Sequence, residues 1–196
     1  MSHYTHMMQQ QRRVVTDIIV EVARLEEIID VRHQVLRQGQ PRSSCYYPED
    51  TYKYTVHFAA KLKNEIVGSA SIYKESHPDF SLKQSWRIRG MAVCEVFQGR
   101  NIGTQLLETC INHVIKQKGD VIWCNARMSA VKFYKNSGFK IIGDEFELPD
   151  IGPHYLMAKN LGIHIGQTRF VEIAKKLFAR KNPIPAPQAK INIEKH

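Results

Sequence analysis

Residues 93–114 read V-C-E-V-F-Q-G-R-N-I-G-T-Q-L-L-E-T-C-I-N-H-V, joining an apolar, strand-like run to an amphipathic helix through a glycine-bearing turn. Past the turn, Ile102, Leu106, Leu107, Cys110, Ile111 and Val114 recur with a 3.6-residue period, which marks a helix with one buried face. The first backbone N–H groups of such a helix have no partner within it and lie at its positive end. Gly99 and Gly103 remove side-chain bulk where a ligand would approach the backbone. The arrangement suits a phosphate-bearing cofactor.

Two familiar phosphate loops fail against residues 98–104. A P-loop needs Lys and then Ser or Thr after its second glycine, whereas Gly103 is followed by Thr104 and Gln105. The dinucleotide fingerprint G-x-G-x-x-G is absent, because Gly99 and Gly103 lie four apart with no third glycine. Taken alone, the loop also reads as an ordinary turn before a core helix. Its flanks add information. W-R-I-R-G-M-A-V (86–93) is the pattern of a strand carrying a bulge at its glycine, and V-I-W-C-N-A-R (121–127) reads as a buried strand. S-A-V-K-F-Y-K-N-S-G-F (129–139) follows, a short helix ended by a glycine at a left-handed cap.

The remaining pattern, Q-x-x-N-x-G-T at 98–104, resembles the coenzyme A pyrophosphate loop of the GCN5-related N-acetyltransferases, written R/Q-x-x-G-x-G/A. Asn101 stands where that family's first glycine is usual, and Thr104 reads as a second departure. Asn visits the left-handed region more readily than other non-glycine residues. A-x-x-F-Y-x-x-x-G-F at 130–139 is similar to the family's second signature, and the two motifs occur in the family's order. Further on, residues 140–161, K-I-I-G-D-E-F-E-L-P-D-I-G-P-H-Y-L-M-A-K-N-L, look like the branch of small bacterial members that ends in a G-P-H-Y-x-M segment. The resemblance covers roughly residues 18–161.

It implies an α/β fold: a central mixed, mostly antiparallel sheet, splayed at the cofactor strand, with helices on both faces. The upstream pattern agrees, with a first strand at 18–23, a helix at 25–37, and strands at 55–62 and 66–73 joined by the turn Lys63-Asn64-Glu65. The acyl-CoA is expected in a cleft where the strand at 91–93 and the strand at 121–125 splay apart.

At 196 residues, one domain with one core is expected at 17–162, after a flexible segment at 1–16 and before a tail at 163–196. Cys45, Cys94, Cys110 and Cys124 show no C-x-x-C pairing and read as free thiols in a reducing compartment; no metal role is expected. The amino end lacks the apolar block of a secretory signal, and no apolar run approaches the roughly 20 residues that span a bilayer. A cytoplasmic location is expected. Of the net charge of +9, residues 165–196 carry +5, from seven Lys or Arg and two Glu. Within them, 168–181 form a candidate helix with Phe170, Ile173, Leu177 and Phe178 on one side. That helix packs on the parent domain, docks on a partner subunit, or touches an anionic membrane surface; nucleic acid is the least favoured partner. The run N-P-I-P-A-P then stops it.

Amine attack on a thioester needs reactants held together, a polarised carbonyl, an exit for the ammonium proton and a proton for the departing thiolate. The resemblance implies that the backbone of Met91, Ala92 and Val93 pairs with the acetyl-pantetheine arm. It also puts the pyrophosphate over Gln98, Gly99, Arg100, Asn101, Ile102, Gly103 and Thr104. Arg100 either adds charge there or is solvated. Tyr134 matches the tyrosine that protonates the leaving thiolate in many members; the alternative is an anchoring role within an aromatic cluster with Phe133 and Phe139. Asn125 is a candidate partner for the pantetheine amides, or ties off a turn. His154 has a suitable ordinary pKa for the base, in competition with Glu145, Glu147, Glu95 and a water chain. His57 and His33 are further candidates for the substrate cleft.

The expected activity is transfer of acetyl from acetyl-CoA to a primary amine, on a small molecule or peptide, by direct attack in a ternary complex. A non-catalytic acyl-CoA sensor is the alternative, favoured by the departures at Asn101 and Thr104. A homodimer is compatible with either. The acceptor is left open: Arg37, Arg42, Tyr46 and Tyr47 select an acidic or aromatic acceptor, or are solvated loop residues.

Overall fold

The structure, a computed structural model, describes residues 18–79, 84–149 and 151–162. The terminal segments expected at 1–16 and 163–196, with the basic helix, lie outside the described residues. Seven strands form one sheet in the order β1 (Ile18–Ala23), β2 (Val56–Leu62), β3 (Glu65–Lys74), β4 (Ser85–Val93), β5 (Val121–Arg127), β7 (Gly152–Asn160) and β6 (Lys140–Leu148). Every neighbouring pair is antiparallel except β4 and β5, so the sheet is mixed as expected.

Helix α1 (Leu25–Leu36) starts where the Glu27 carboxylate accepts a 2.8 Å hydrogen bond from the Arg24 N–H, satisfying a donor that the helix cannot. It buries Ile28, Ile29, Val31 and Arg32. Helix α2 (Ile102–Lys116) buries Ile102, Leu106, Leu107, Cys110, Ile111 and Val114, the six residues of the sequence period. These side chains join Phe58, Ala60, Ala70, Ile72 and Ile88 in the main core, while Arg32 of α1 reaches Ser71 and Tyr73 of β3. Residues alternate faces along a strand, so α1 and α2 cover opposite faces of the sheet. The short helix α3 (Val131–Asn136) follows a single 3₁₀ turn at Met128–Ala130.

Two irregularities create the site. In the β3–β4 ladder Ser69 pairs with Ala92 and Ser71 with Arg89, so Gly90 and Met91 together face Ala70 in a bulge. Gly90 has φ of 61°, a left-handed conformation that favours glycine. The parallel ladder of β4 and β5 runs only from Ser85↔Val121 to Arg87↔Trp123; beyond it the strands part. All four cysteines are free and buried.

Candidate active site

The loop before α2 turns on Asn101, whose φ of 65° and ψ of 8° are left-handed. Asn at a helix start usually closes the first turn with its side chain, yet here no side-chain capping bond forms. The first intrahelical bond runs from Gln105 N–H to Asn101 C=O, so the amides of Ile102, Gly103 and Thr104 remain available. A groove of about 670 Å³ opens over them, lined by Met91, Ala92 and Val93 of β4, by Gln98, Gly99, Asn101, Ile102, Gly103 and Thr104, and by Phe133 of α3. Uncapped donors at a helix N-terminus, facing a groove of this size, fit a diphosphate. In the family motif the small residue after the first glycine is Gly103, so Asn101 alone departs from it.

Two expected contacts sit differently. Arg100 does not line the groove; its guanidinium lies 5.6 Å from the Phe97 ring centroid. Gln98 turns its side-chain amide onto the Val93 carbonyl at 3.0 Å, occupying one acceptor site on the strand edge assigned to pantetheine.

A second, smaller cavity of about 170 Å³ lies in the split between β4 and β5. Leu36, Met91, Arg127 and Ala130 line both cavities, so the two adjoin there. Tyr134 and His154 both line the smaller one, as does Asn125, which stands at the split. Tyr134 is 5% exposed, packed between Phe133 and Phe139 at ring distances of 5.1 and 5.2 Å. Tyr134 thus belongs to an aromatic cluster and also lines the smaller cavity. Burial pushes its pKa up, and the neighbouring Cys124, which shares a hydrogen bond with it, adds to the rise. The Cys124 thiol is itself pushed up to about 12 by burial.

His154 stands opposite Arg127 of β5 and Phe146 of β6. Its Nδ1 lies 2.7 Å from the Gly152 carbonyl, which only accepts, so Nδ1 carries the hydrogen and Nε2 of the neutral ring holds the free lone pair. Glu95, Glu145 and Glu147 do not line this cavity. His33 bonds the Gln40 carbonyl at 2.8 Å, and His57 lies in a buried network; neither faces the cleft.

That network supports the bulge. Arg32, fully buried, grips the Asp50 carboxylate through two bonds of 2.7 and 3.0 Å and also donates to Ser71 Oγ and the Cys45 carbonyl. Burial raises the Asp50 pKa, but hydrogen bonds from Arg32, Tyr73 and the Tyr47 N–H outweigh it and hold the carboxyl below its ordinary range. Arg37 and Tyr47 line the small cavity, whereas Arg42 pairs with Asp30 at the surface and Tyr46 is exposed. Arg87, Arg89 and Arg127 also line it, beyond the residues that the sequence motifs mark. The alternation R-x-R in an otherwise apolar strand was the available signal, since residues two apart share a face.

A groove over uncapped helix amides, beside a parallel pair of strands that parts, defines an acyl-CoA-binding fold. Comparison with known proteins agrees. A family model described as Acetyltransferase (GNAT) domain matches residues 33–160. An uncharacterized N-acetyltransferase of Bacillus subtilis, YitI, is 29% identical over 142 residues, covering 72% of this chain and 95% of its own. An aminoglycoside 6'-N-acetyltransferase solved with coenzyme A superposes with a TM-score of 0.60 at 17% identity, over 72% of this chain and 96% of that one. Escherichia coli ElaA does so with a TM-score of 0.57 at 20% identity, over 72% and 99%. The chain belongs to the GCN5-related N-acetyltransferase family and is an N-acetyltransferase. Among the described residues no helix is long and apolar enough to cross a membrane, and no cluster of metal-ligating side chains forms.

Proposed function

We propose that acetyl-CoA lies along the larger groove, its diphosphate on the amides of Ile102, Gly103 and Thr104, and that an amine in the smaller cavity attacks the thioester where the cavities adjoin. The observation that carries this reading is that adjacency at Met91, on the unpaired edge of β4. The proton leaving the attacking nitrogen passes to His154 Nε2, directly or through one water. Tyr134, a phenol that is protonated at neutral pH, gives its proton to the departing thiolate. Transfer is direct, so both substrates must be bound together.

The test is two-substrate kinetics of thiol release from acetyl-CoA with an amine panel, alongside calorimetry with coenzyme A. Intersecting double-reciprocal lines support a ternary complex; parallel lines overturn it in favour of an acyl-enzyme. Coenzyme A binding with no thiol release from any amine would establish the sensor reading instead.

A further inference from the structure

Among the described residues the smaller cavity is lined by four arginines, Arg37, Arg87, Arg89 and Arg127, and by no Asp or Glu. Two of the four are neutralised from outside it: Arg87 pairs with Glu75 at 2.9 Å and Arg89 with Glu49 at 2.7 Å. The other two converge on a single neutral acceptor. Arg37 Nη1 and Arg127 Nη2 donate to the same Leu36 carbonyl, at 3.1 and 2.9 Å. Neither makes an ion pair among the described residues. Two guanidiniums held together this way repel each other, and each keeps unused donors. Arg87 adds a buried Nε with no partner.

Arginine stays protonated at any working pH, so this wall of the cavity is permanently positive. A cationic acceptor would meet like charge at close range, while an anionic oxygen group placed between Arg37 and Arg127 would meet two planar forks suited to bidentate pairing. Tyr47, on whose ring Arg89 stacks at 4.2 Å, holds one side of the wall in place. The cavity of about 170 Å³ is below the roughly 300–1,000 Å³ of drug-sized sites, which limits the occupant to a small molecule or a chain end.

We infer that the acceptor is a small primary amine that also carries a carboxylate, bound by Arg37 and Arg127 with its nitrogen directed to the Met91 end of the cavity. This rests on the acetyl-transfer reading above. Attack forms the amide N–C bond and breaks the C–S bond; the nitrogen's proton goes to His154 and the thiolate takes one from Tyr134, so no further reactant is required.

The test is a set of matched pairs, each an amino acid (α-, β- or γ-amino, or aromatic) and its neutral carboxamide, assayed for thiol release with the full-length protein. The carboxylate member is expected to have kcat/KM at least about tenfold higher, the scale of one charge-assisted bond. Arg37→Gln should erase most of that preference by raising KM for the carboxylate far more than for the carboxamide, with the KM for acetyl-CoA little changed. A merely structural loss would lower both members alike. Equal rates within every pair, or preference for the amide or for diamines, would overturn the inference while leaving acetyl transfer standing. If no amine is turned over, the same pairs are titrated calorimetrically into coenzyme A-saturated protein. Heat from carboxylates alone, lost in Arg37→Gln, upholds the anion site without the transfer reading; heat from neither member sinks it.

Discussion

Arg32 Nε and Gly90 are in such close contact that a Cβ on Gly90 would lie 2.8 Å from that nitrogen. The guanidinium has no room to retreat, since Asp50, Ser71 and the Cys45 carbonyl hold its other nitrogens. Gly90→Ala therefore combines a left-handed alanine, at about 1–2 kcal/mol, with a clash against a fixed buried side chain. We expect roughly 2–4 kcal/mol of destabilisation in urea titration, and a fall in kcat because Met91 lies in the same bulge. An unchanged midpoint with unchanged activity would show that the bulge is not needed to present Met91.

Tyr134→Phe keeps the aromatic cluster and removes the hydroxyl, with its proton and its hydrogen bond to the buried Cys124. We expect kcat to fall by about 10²-fold with KM for acetyl-CoA nearly constant, measured by thiol release. A rise in KM with kcat intact would reduce Tyr134 to an anchor for the cofactor.

His154→Ala should lower kcat by about 10²-fold as well, and added imidazole should restore part of it, since the ring's role is to present one lone pair. Loss of activity without rescue, with a lowered melting temperature, would make His154 a structural brace for the start of β7 through its bond to the Gly152 carbonyl.

Where local chemistry set the outcome, the sequence was a sufficient guide. The six apolar residues of α2 are buried as their spacing required, and Asn101 took the left-handed conformation that its short side chain tolerates. The bulge at Gly90 was legible because an interior strand glycine has few other uses. What stayed hidden depends on distant partners. His57 looked like a cleft candidate, but its neighbours Asp50 and Ser71 come from other elements and draw it into the Arg32 network. Arg100 sits in the phosphate motif yet stacks near Phe97, because the backbone amides and not its side chain line the groove. Arg37 and Arg127, ninety residues apart, meet at one carbonyl only because β5 ends beside the end of α1.

Stability should rise with pH across the mildly acidic range. His57, His77 and His113 have pKa values lowered by burial from the ordinary 6.5, and Arg32 lowers His57 further. Below about 6.5 the unfolded chain binds protons that the folded chain refuses, so stability falls progressively as pH drops towards the depressed folded values. Asp50 acts in the same direction lower down: its contribution is complete above 3.8 and is lost as pH falls through its depressed folded value. Melting temperatures from pH 8 to pH 5 should therefore decline, and His57→Gln should flatten the decline. A melting temperature that rose on acidification to pH 5 would contradict the assignment of neutral buried histidines.

Asn101 decides whether the amides of α2 face the groove, so its substitutions should divide by backbone preference and not by side-chain chemistry. Asn101→Gly keeps φ near 65° without strain, and coenzyme A affinity should stay within about threefold of the parent. Asn101→Val places a β-branched residue in the left-handed region, where it is a strong outlier, so the loop must flip to an extended form and turn the first helical amides away. Affinity by calorimetry should then fall by at least about tenfold, the loss of one or two charge-assisted backbone bonds. The opposite order, with glycine weakening binding and valine sparing it, would mean that the Asn101 side chain contacts the cofactor and that the open helix start is not the phosphate site.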